Sequence, residues 1–280
     1  MRIEKITRKE IQDLYRKHHA LDSHCAPKKF IGILGGLGPE SSIDLERNIF
    51  NLTPAGEEQE HFRVLHFSNP GLADRTLSLQ EIKKNNFTPA EMIIHETAEI
   101  IDILFTFNEN YQCEVLVIPC SSLFCFFDDL QTRRYRVRGI GYYCKGRPYE
   151  DKVLNTIEET ALFAQEKFPL VSTFGLLATA GTMEQKLYQK AFKKVNKRII
   201  IPDKDVLKNH IMAAIYGIKM KKKKEAKALL LKAVSHLTQR GAEMIVLGCS
   251  ELPLVLRGEK YLDTNFILAT AAVKKILTSS

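Results

Sequence analysis

Apolar positions change their period along this chain, and each change marks an element. Residues 30–34 (FIGIL) form a short apolar run halted by Gly35-Gly36-Leu37-Gly38-Pro39, the pattern of a buried strand and its turn. Pro39 suits the first turn of a helix, which the pattern continues through residue 50. Residues 63–67 read as a second strand, 68–76 as a loop, and 90–107 carry apolar side chains at helical spacing. A third buried strand spans 114–119, and Cys120 stands where it ends. The stretch 132–150 breaks the rhythm with charge, glycine and proline, which predicts a linker or inserted loop. The pattern then restarts, with strand and helix in 153–167, a strand at 173–178, a turn at Ala180-Gly181 and a helix over 183–195. A strand at 198–201, helices over 205–220 and 225–239, and a strand at 243–247 ending in Gly248-Cys249 complete it. Such alternation predicts an α/β fold with mostly parallel sheets.

The two halves repeat one another. A strand with Gly32 precedes Pro119-Cys120-Ser121-Ser122 in the first, and a strand with Gly175 precedes Gly248-Cys249-Ser250-Glu251 in the second. Each half thus sets one Cys-Ser at the carboxyl end of an apolar strand, where open α/β sheets bind ligands. The expectation is two related α/β domains with the active-site cleft between them. Residues 1–29 form a helical appendage, 30–131 with 253–280 a first domain carrying Cys120, and 132–252 a second carrying Cys249.

Composition narrows the chemistry. With 45% hydrophobic residues over 280 positions, the chain can bury a proper core, which excludes a disordered or fibrous protein. No uncharged apolar run is long enough to cross a bilayer, and the first 25 residues lack the apolar core of a signal peptide. A cytoplasmic protein is expected. The net charge of +8 owes much to the run Lys219–Lys224, read as the solvated face of a helix. Nucleic-acid binding through that run is the contrary reading, but no zinc-finger spacing or aromatic-basic motif accompanies it. Six cysteines without a Cys-x-x-Cys pair are neither a disulfide scaffold nor a zinc site. Cys25, Cys113, Cys125 and Cys144 align with no strand end in both halves and are read as structural.

Two thiols facing one cleft suit stereochemical inversion at an acidic Cα–H. One thiolate removes the proton from one face and the other thiol delivers a proton to the opposite face. Either enantiomer can then be substrate, so the two groups must be of one kind in opposite protonation states. A helix N-terminus lowers a thiol pKa, and both cysteines precede plausible helices, so both are expected to reach the thiolate. Against this stands the fact that free cysteine is often just a small buried hydrophobe.

Together, Gly35-Gly36-Leu37-Gly38-Pro39, Asp74-Arg75-Thr76, Pro119-Cys120, the run Leu177-Ala178-Thr179-Ala180-Gly181-Thr182 and Gly248-Cys249-Ser250-Glu251-Leu252 resemble the aspartate/glutamate racemase superfamily, and most of all its aspartate racemase branch. The resemblance runs from about residue 30 to 278. It implies a racemase independent of pyridoxal phosphate and of any other cofactor or metal, acting on a small amino acid, with no nucleic-acid or membrane partner and with a homodimer expected. Cys120 and Cys249 match the catalytic pair. Arg75 and Lys219 match residues that pair with a substrate side-chain carboxylate; by themselves they would read as a loop charge and the start of the basic run. Thr179, Gly181 and Thr182 match the turn that holds the α-carboxylate, and Ser121, Ser122, Ser250 and Glu251 complete the implied binding set.

Two departures bear on substrate preference. The family pattern places Asn-Thr after the first cysteine and often a histidine two residues later. Here Ser121 and Ser122 follow Cys120, and Phe124 stands in the place of the histidine. After the second cysteine, Ser250-Glu251 replaces the Thr-His of glutamate racemases. The contrary readings are a decarboxylase or cis–trans isomerase of the superfamily, whose decarboxylases keep one cysteine, and a non-catalytic amino-acid or carboxylate-binding homologue that has lost turnover.

Overall fold

A computed structural model of the protein describes residues 2–18, 28–131 and 136–279. Cys25 and Pro27, and the start of the 132–150 segment, lie outside the described residues. Helix α1 (Arg2–His18) comes first, followed by β1 (Lys28–Gly35), α2 (Pro39–Leu52), β2 (Arg63–Ser68), α3 (Arg75–Lys83), α4 (Thr88–Phe105) and β3 (Tyr111–Val117). An antiparallel pair, β4 (Leu130–Gln131) and β5 (Arg136–Val137), then α5 (Ile140–Cys144) and β6 (Val153–Leu154), lead into α6 (Thr156–Lys167). The second half holds β7 (Thr173–Leu177), α7 (Ala180–Glu184), α8 (Leu187–Lys194), β8 (Arg198–Ile200), α9 (Lys204–Val206), α10 (Ala213–Lys219) and α11 (Lys223–Gln239). It closes with β9 (Met244–Leu247), β10 (Tyr261–Asp263) and α12 (Thr264–Thr278).

Two four-stranded parallel sheets carry the fold, in the orders β2-β1-β3-β6 and β10-β9-β7-β8. Read from the other edge, the second is β8-β7-β9-β10, so both halves place their first strand between their second and third. The repeat seen in the sequence is therefore a repeat of topology. In each sheet the chain direction of travel reverses between the first and third strands, and the crevice at their carboxyl ends is the natural ligand site. Six of eight residues in β1, five of seven in β3 and all four in β9 are buried. Burial on both faces is why these strands read as apolar runs rather than alternating ones.

Sheet membership departs from the expected division at two points. β6 follows residue 132 yet pairs with β3 in the first sheet, and β10 follows residue 253 yet pairs with β9 in the second. Each half needs its fourth strand to cover the third strand's outer edge, whereas the helix after that strand crosses over. Accordingly α12 packs its Leu268, Ala272 and Val273 among Ile31, Leu45 and Val117 of the first half. Asp263, the N-cap of α12, accepts from the backbone N–H of Asn265 and Phe266. Burial, with Asp44 nearby, raises its carboxyl to about 6.

Helix α1 is more than an appendage. Ile11 and Tyr15 are buried in the same cluster as α12, and Glu10 pairs with Lys167 and Lys274. The expected loop over 68–76 ends early, because Asp74 caps α3 by accepting from the N–H groups of Thr76 and Leu77. The helix expected over 183–195 is two helices, parted at Lys186 with φ 55°. The basic run is not one helical face: α10 ends at Lys219, Lys221 has φ 63°, and α11 begins at Lys223. Between α9 and α10 the backbone widens into a π-helix over Leu207–Met212.

Candidate active site

Strands β3 and β9 deliver their cysteines in similar ways. Cys120 occupies the N-cap position of a 3-10 turn, Ser121–Phe126, and Cys249 lies shortly before another, Leu252–Leu254. These are tight turns of six and three residues, in place of the longer helices expected from the sequence. Both thiols line one cavity, together with Leu37, Asp74, Arg75 and Thr76 of the first half and Thr179, Lys219 and Glu251 of the second. Ser121, Ser122, Gly248 and Ser250 complete its wall. Leu37, Asp74, Thr76 and Gly248 had no place among the candidates. Conversely, Gly181 and Thr182 sit behind the cavity, Gly181 against Leu79 and Thr182 fully buried.

Arg75 opens α3 and is only 9% exposed. Its Nη1 donates to the carbonyls of Leu72 (3.3 Å) and Ala73 (3.0 Å), and its Nη2 to that of Leu37 (3.1 Å). Its buried Nε has no hydrogen-bond partner among the described residues. A buried guanidinium held by neutral carbonyls keeps its full positive charge for an incoming anion. Lys219, at the end of α10, approaches Glu251 Oε1 at 3.8 Å. Burial alone would lower its pKa; the charge of Glu251, with Cys249 and Asp74, outweighs that and raises it.

Glu251 is buried and meets Cys249 directly: the thiol donates to Oε2 at 2.8 Å. Burial, then the adjacent carboxylate, pushes the Cys249 thiol well above its usual pKa. The expectation that both cysteines are set up as thiolates is therefore corrected at Cys249, because the short turn after it offers less than Glu251 takes away. Around Cys120 the arrangement differs, with Ser122 Oγ 3.3 Å from the sulfur. Gly38, at φ 138°, permits the approach of Glu251, since a Cβ there would lie 2.7 Å from Oε1.

Polar contacts join the two halves beside Cys249. Ser41 Oγ lies 3.1 Å from Ser250 Oγ, and Asn265 Nδ2 donates to the carbonyls of Ser41 and Ser250 and to Asp44. Arg257 pairs with Asp44 and donates to the Pro253 carbonyl. On the other side, Thr179 caps α7 and its hydroxyl is 3.0 Å from that of Thr182. Cys113, Cys125 and Cys144 are free and buried; burial raises the first two to about 12 and the third to about 11. Among the described residues, no group of His, Cys, Asp or Glu is arranged to hold a metal ion, and no helix is long and apolar enough to cross a membrane.

The fold is shared with several solved structures. An aspartate racemase from Picrophilus torridus superposes with a TM-score of 0.67 at 20% identity, over 88% of this chain and 93% of that one. An aspartate racemase homologue from Pyrococcus horikoshii OT3 gives 0.60 at 15% identity, over 88% and 97%. A glutamate racemase isoform from Bacillus anthracis gives 0.56 at 14% identity, over 91% and 82%. In sequence, an uncharacterized protein in the pnlA 3' region of Pectobacterium carotovorum subsp. carotovorum is 39% identical over 85 residues, 30% of this chain. That match spans 56% of the relative, a little over half its length. The family model for Asp/Glu/hydantoin racemases matches residues 34–274, which takes in both cysteine turns, Arg75, Lys219 and Glu251. The chain belongs to the Asp/Glu/hydantoin racemase family.

Proposed function

We propose that the protein interconverts the L and D forms of aspartate, or of a similar small amino acid, by two-thiol proton transfer at Cα without pyridoxal phosphate. One observation carries this reading: Cys120 and Cys249, from the ends of two separate sheets, line the same cavity. In one direction the Cys120 thiolate takes the Cα proton and the Cys249 thiol returns one to the opposite face; in the other the roles exchange. Arg75 and Lys219 supply cations for the carboxylates, and Arg75, with its fork already oriented, suits bidentate binding. Thr179 and Ser122 add hydroxyls at the wall. Proton transfer of this kind contributes ~10²–10⁴-fold, and the fixed cations stabilise the developing carbanion.

The test is incubation with L-aspartate and L-alanine in D₂O without added cofactor, followed by chiral chromatography and mass spectrometry. The expected product is the D enantiomer with deuterium at Cα. Cys120→Ala or Cys249→Ala should abolish interconversion in both directions; near wild-type turnover by either variant would refute the two-base mechanism. A carboxylate-binding homologue without turnover is the second reading, favoured by the Cys249–Glu251 contact, which holds that thiol protonated. It predicts ligand binding by calorimetry with no deuterium uptake at all.

A further inference from the structure

Beneath the cavity, one side chain touches both cysteine turns. Tyr188, on α8, is fully buried, and its hydroxyl shares a hydrogen bond of 2.9 Å with Ser121 Oγ, next to Cys120. Its ring backs the other turn. A Cβ at Gly248, the residue before Cys249, would lie 3.0 Å from Tyr188 Cε2 and 3.2 Å from Cζ. Leu176 Cδ1, 2.7 Å from the same point, closes the space from another side, so the glycine is packed between Leu176 and the ring. Burial first, and the charge of Cys249 and Cys120 after it, keep the phenol above its usual pKa, so the hydroxyl stays neutral.

The two turns stand on different sheets, and no strand pairing fixes one against the other. Inversion nevertheless requires the sulfurs to flank one carbon within the narrow tolerance of a reacting geometry. Ser121 is itself buried at the cavity wall, and its hydroxyl is bonded to Tyr188. The ring is anchored from behind by Phe192, on the same helix. A rigid aromatic thus lies across the gap between the two turns, bonded to one and packed on the other.

We propose that Tyr188 is a positioning residue that sets the separation of the two thiols, through its hydroxyl on the Cys120 turn and its ring on the Cys249 turn. The inference rests on the racemase reading above. It concerns the fate of the carbanion. A thiolate takes the Cα proton and becomes a thiol; the carbanion then takes a proton either from the opposite thiol, giving inversion, or from the thiol just formed, giving retention. Each route ends with one thiol and one thiolate. When the sulfurs are correctly spaced, inversion competes well; when they are not, the carbanion is reprotonated on its original face after that thiol has exchanged with solvent.

The experiment uses L-aspartate in D₂O with wild type, Tyr188→Phe, Ser121→Ala and the double variant. It reads deuterium in recovered L-aspartate against D-aspartate formed. Both single variants should raise this exchange-to-inversion ratio by roughly three- to ten-fold, the weight of one neutral hydrogen bond. The double variant should go no further than either single one, because both remove the same bond. Exchange and inversion falling in equal proportion would mean that Tyr188 only fills space, and the proposal would be overturned. If Tyr188→Phe does not fold, Ser121→Ala reads the same bond from the cavity side. Wild type that neither exchanges nor inverts aspartate would overturn the racemase reading and this inference together, whereas inversion by wild type with unchanged ratios in the variants removes the inference alone.

Discussion

The turn bearing Cys120 and the turn bearing Cys249 occupy equivalent places in two sheets of the same strand order, yet they differ in the polar groups around them. Both bury apolar side chains, Leu123, Phe124, Cys125 and Phe126 in the first and Leu252 and Pro253 in the second. Asp44, Arg257, Asn265 and Ser41 back the second, an ionic and amide network. The cation that accompanies each follows suit: Arg75 is held by three neutral carbonyls, and Lys219 faces a carboxylate. Symmetric backbone therefore carries asymmetric electrostatics. A reaction run in both directions needs equivalent positions for its two thiols, but nothing in the geometry requires equivalent proton affinities.

The sharpest way to break this comparison is to remove Arg75, the cation held by neutral carbonyls. Arg75→Ala should lower kcat/KM for aspartate by roughly ten- to a hundred-fold, since hydrogen bonds to charged groups are worth ~1.5–3 kcal/mol. Alanine, lacking the second carboxylate, should lose far less. Equal losses on both substrates, measured in one panel, would make Arg75 a loop-holding residue and sink the aspartate assignment.

A subtler probe is Glu251→Gln, which makes the second turn electrically more like the first. A carboxylate beside a thiol disfavours the thiolate, so removing its charge lowers the Cys249 pKa from its raised position. In the direction where Cys249 must act as base, the acidic limb of kcat/KM, which that thiol's deprotonation sets, should move to lower pH; an unmoved limb for both enantiomers would show that Glu251 does not control that thiol.

The last effect is expected in stability rather than in turnover. Asp263, buried behind the second turn, has its carboxyl raised from 3.8 to about 6. The folded state then binds its proton more tightly than the unfolded one, so stability falls as pH rises between these values and stays reduced above them. Asparagine keeps the helix cap without the charge. Asp263→Asn should therefore raise stability by roughly 3 kcal/mol at pH 8 and leave it near wild type at pH 4, on the rule of 1.36 kcal/mol per unit. Denaturant titrations at the two pH values decide it, and a gain that is the same at both would show that charge is not the cause.

Both cysteine turns were legible in the sequence because strands buried on both faces leave unbroken apolar runs, and each run here stops at a Cys-Ser. The exchange of helices between halves was not, since the fourth strands are only two and three residues long and carry no period. Helix α3 hid because its apolar face is slight, although Asp74 two residues before Thr76 was a usable cap signal. Tyr188 left no trace at all. It reads as one more apolar position of an amphipathic helix, and only the spatial coincidence of Ser121 and Gly248 gives it a role. Glu251 was placed among substrate contacts, but its contact with Cys249 depends on a backbone turn that spacing alone does not specify.

The π-helix over Leu207–Met212 sits seven residues before Lys219. Each residue of an α-helix advances the direction by about 100°, so one extra residue in a turn redirects everything after it by that angle. Deleting a single codon within that stretch would restore regular winding, carry Lys219 away from the cavity and turn Ile215 and Ile218 out of the core. In evolutionary terms the cation lining the cavity is addressed by chain length as much as by residue identity, and an insertion or deletion here redraws the site in one step where substitutions would need several.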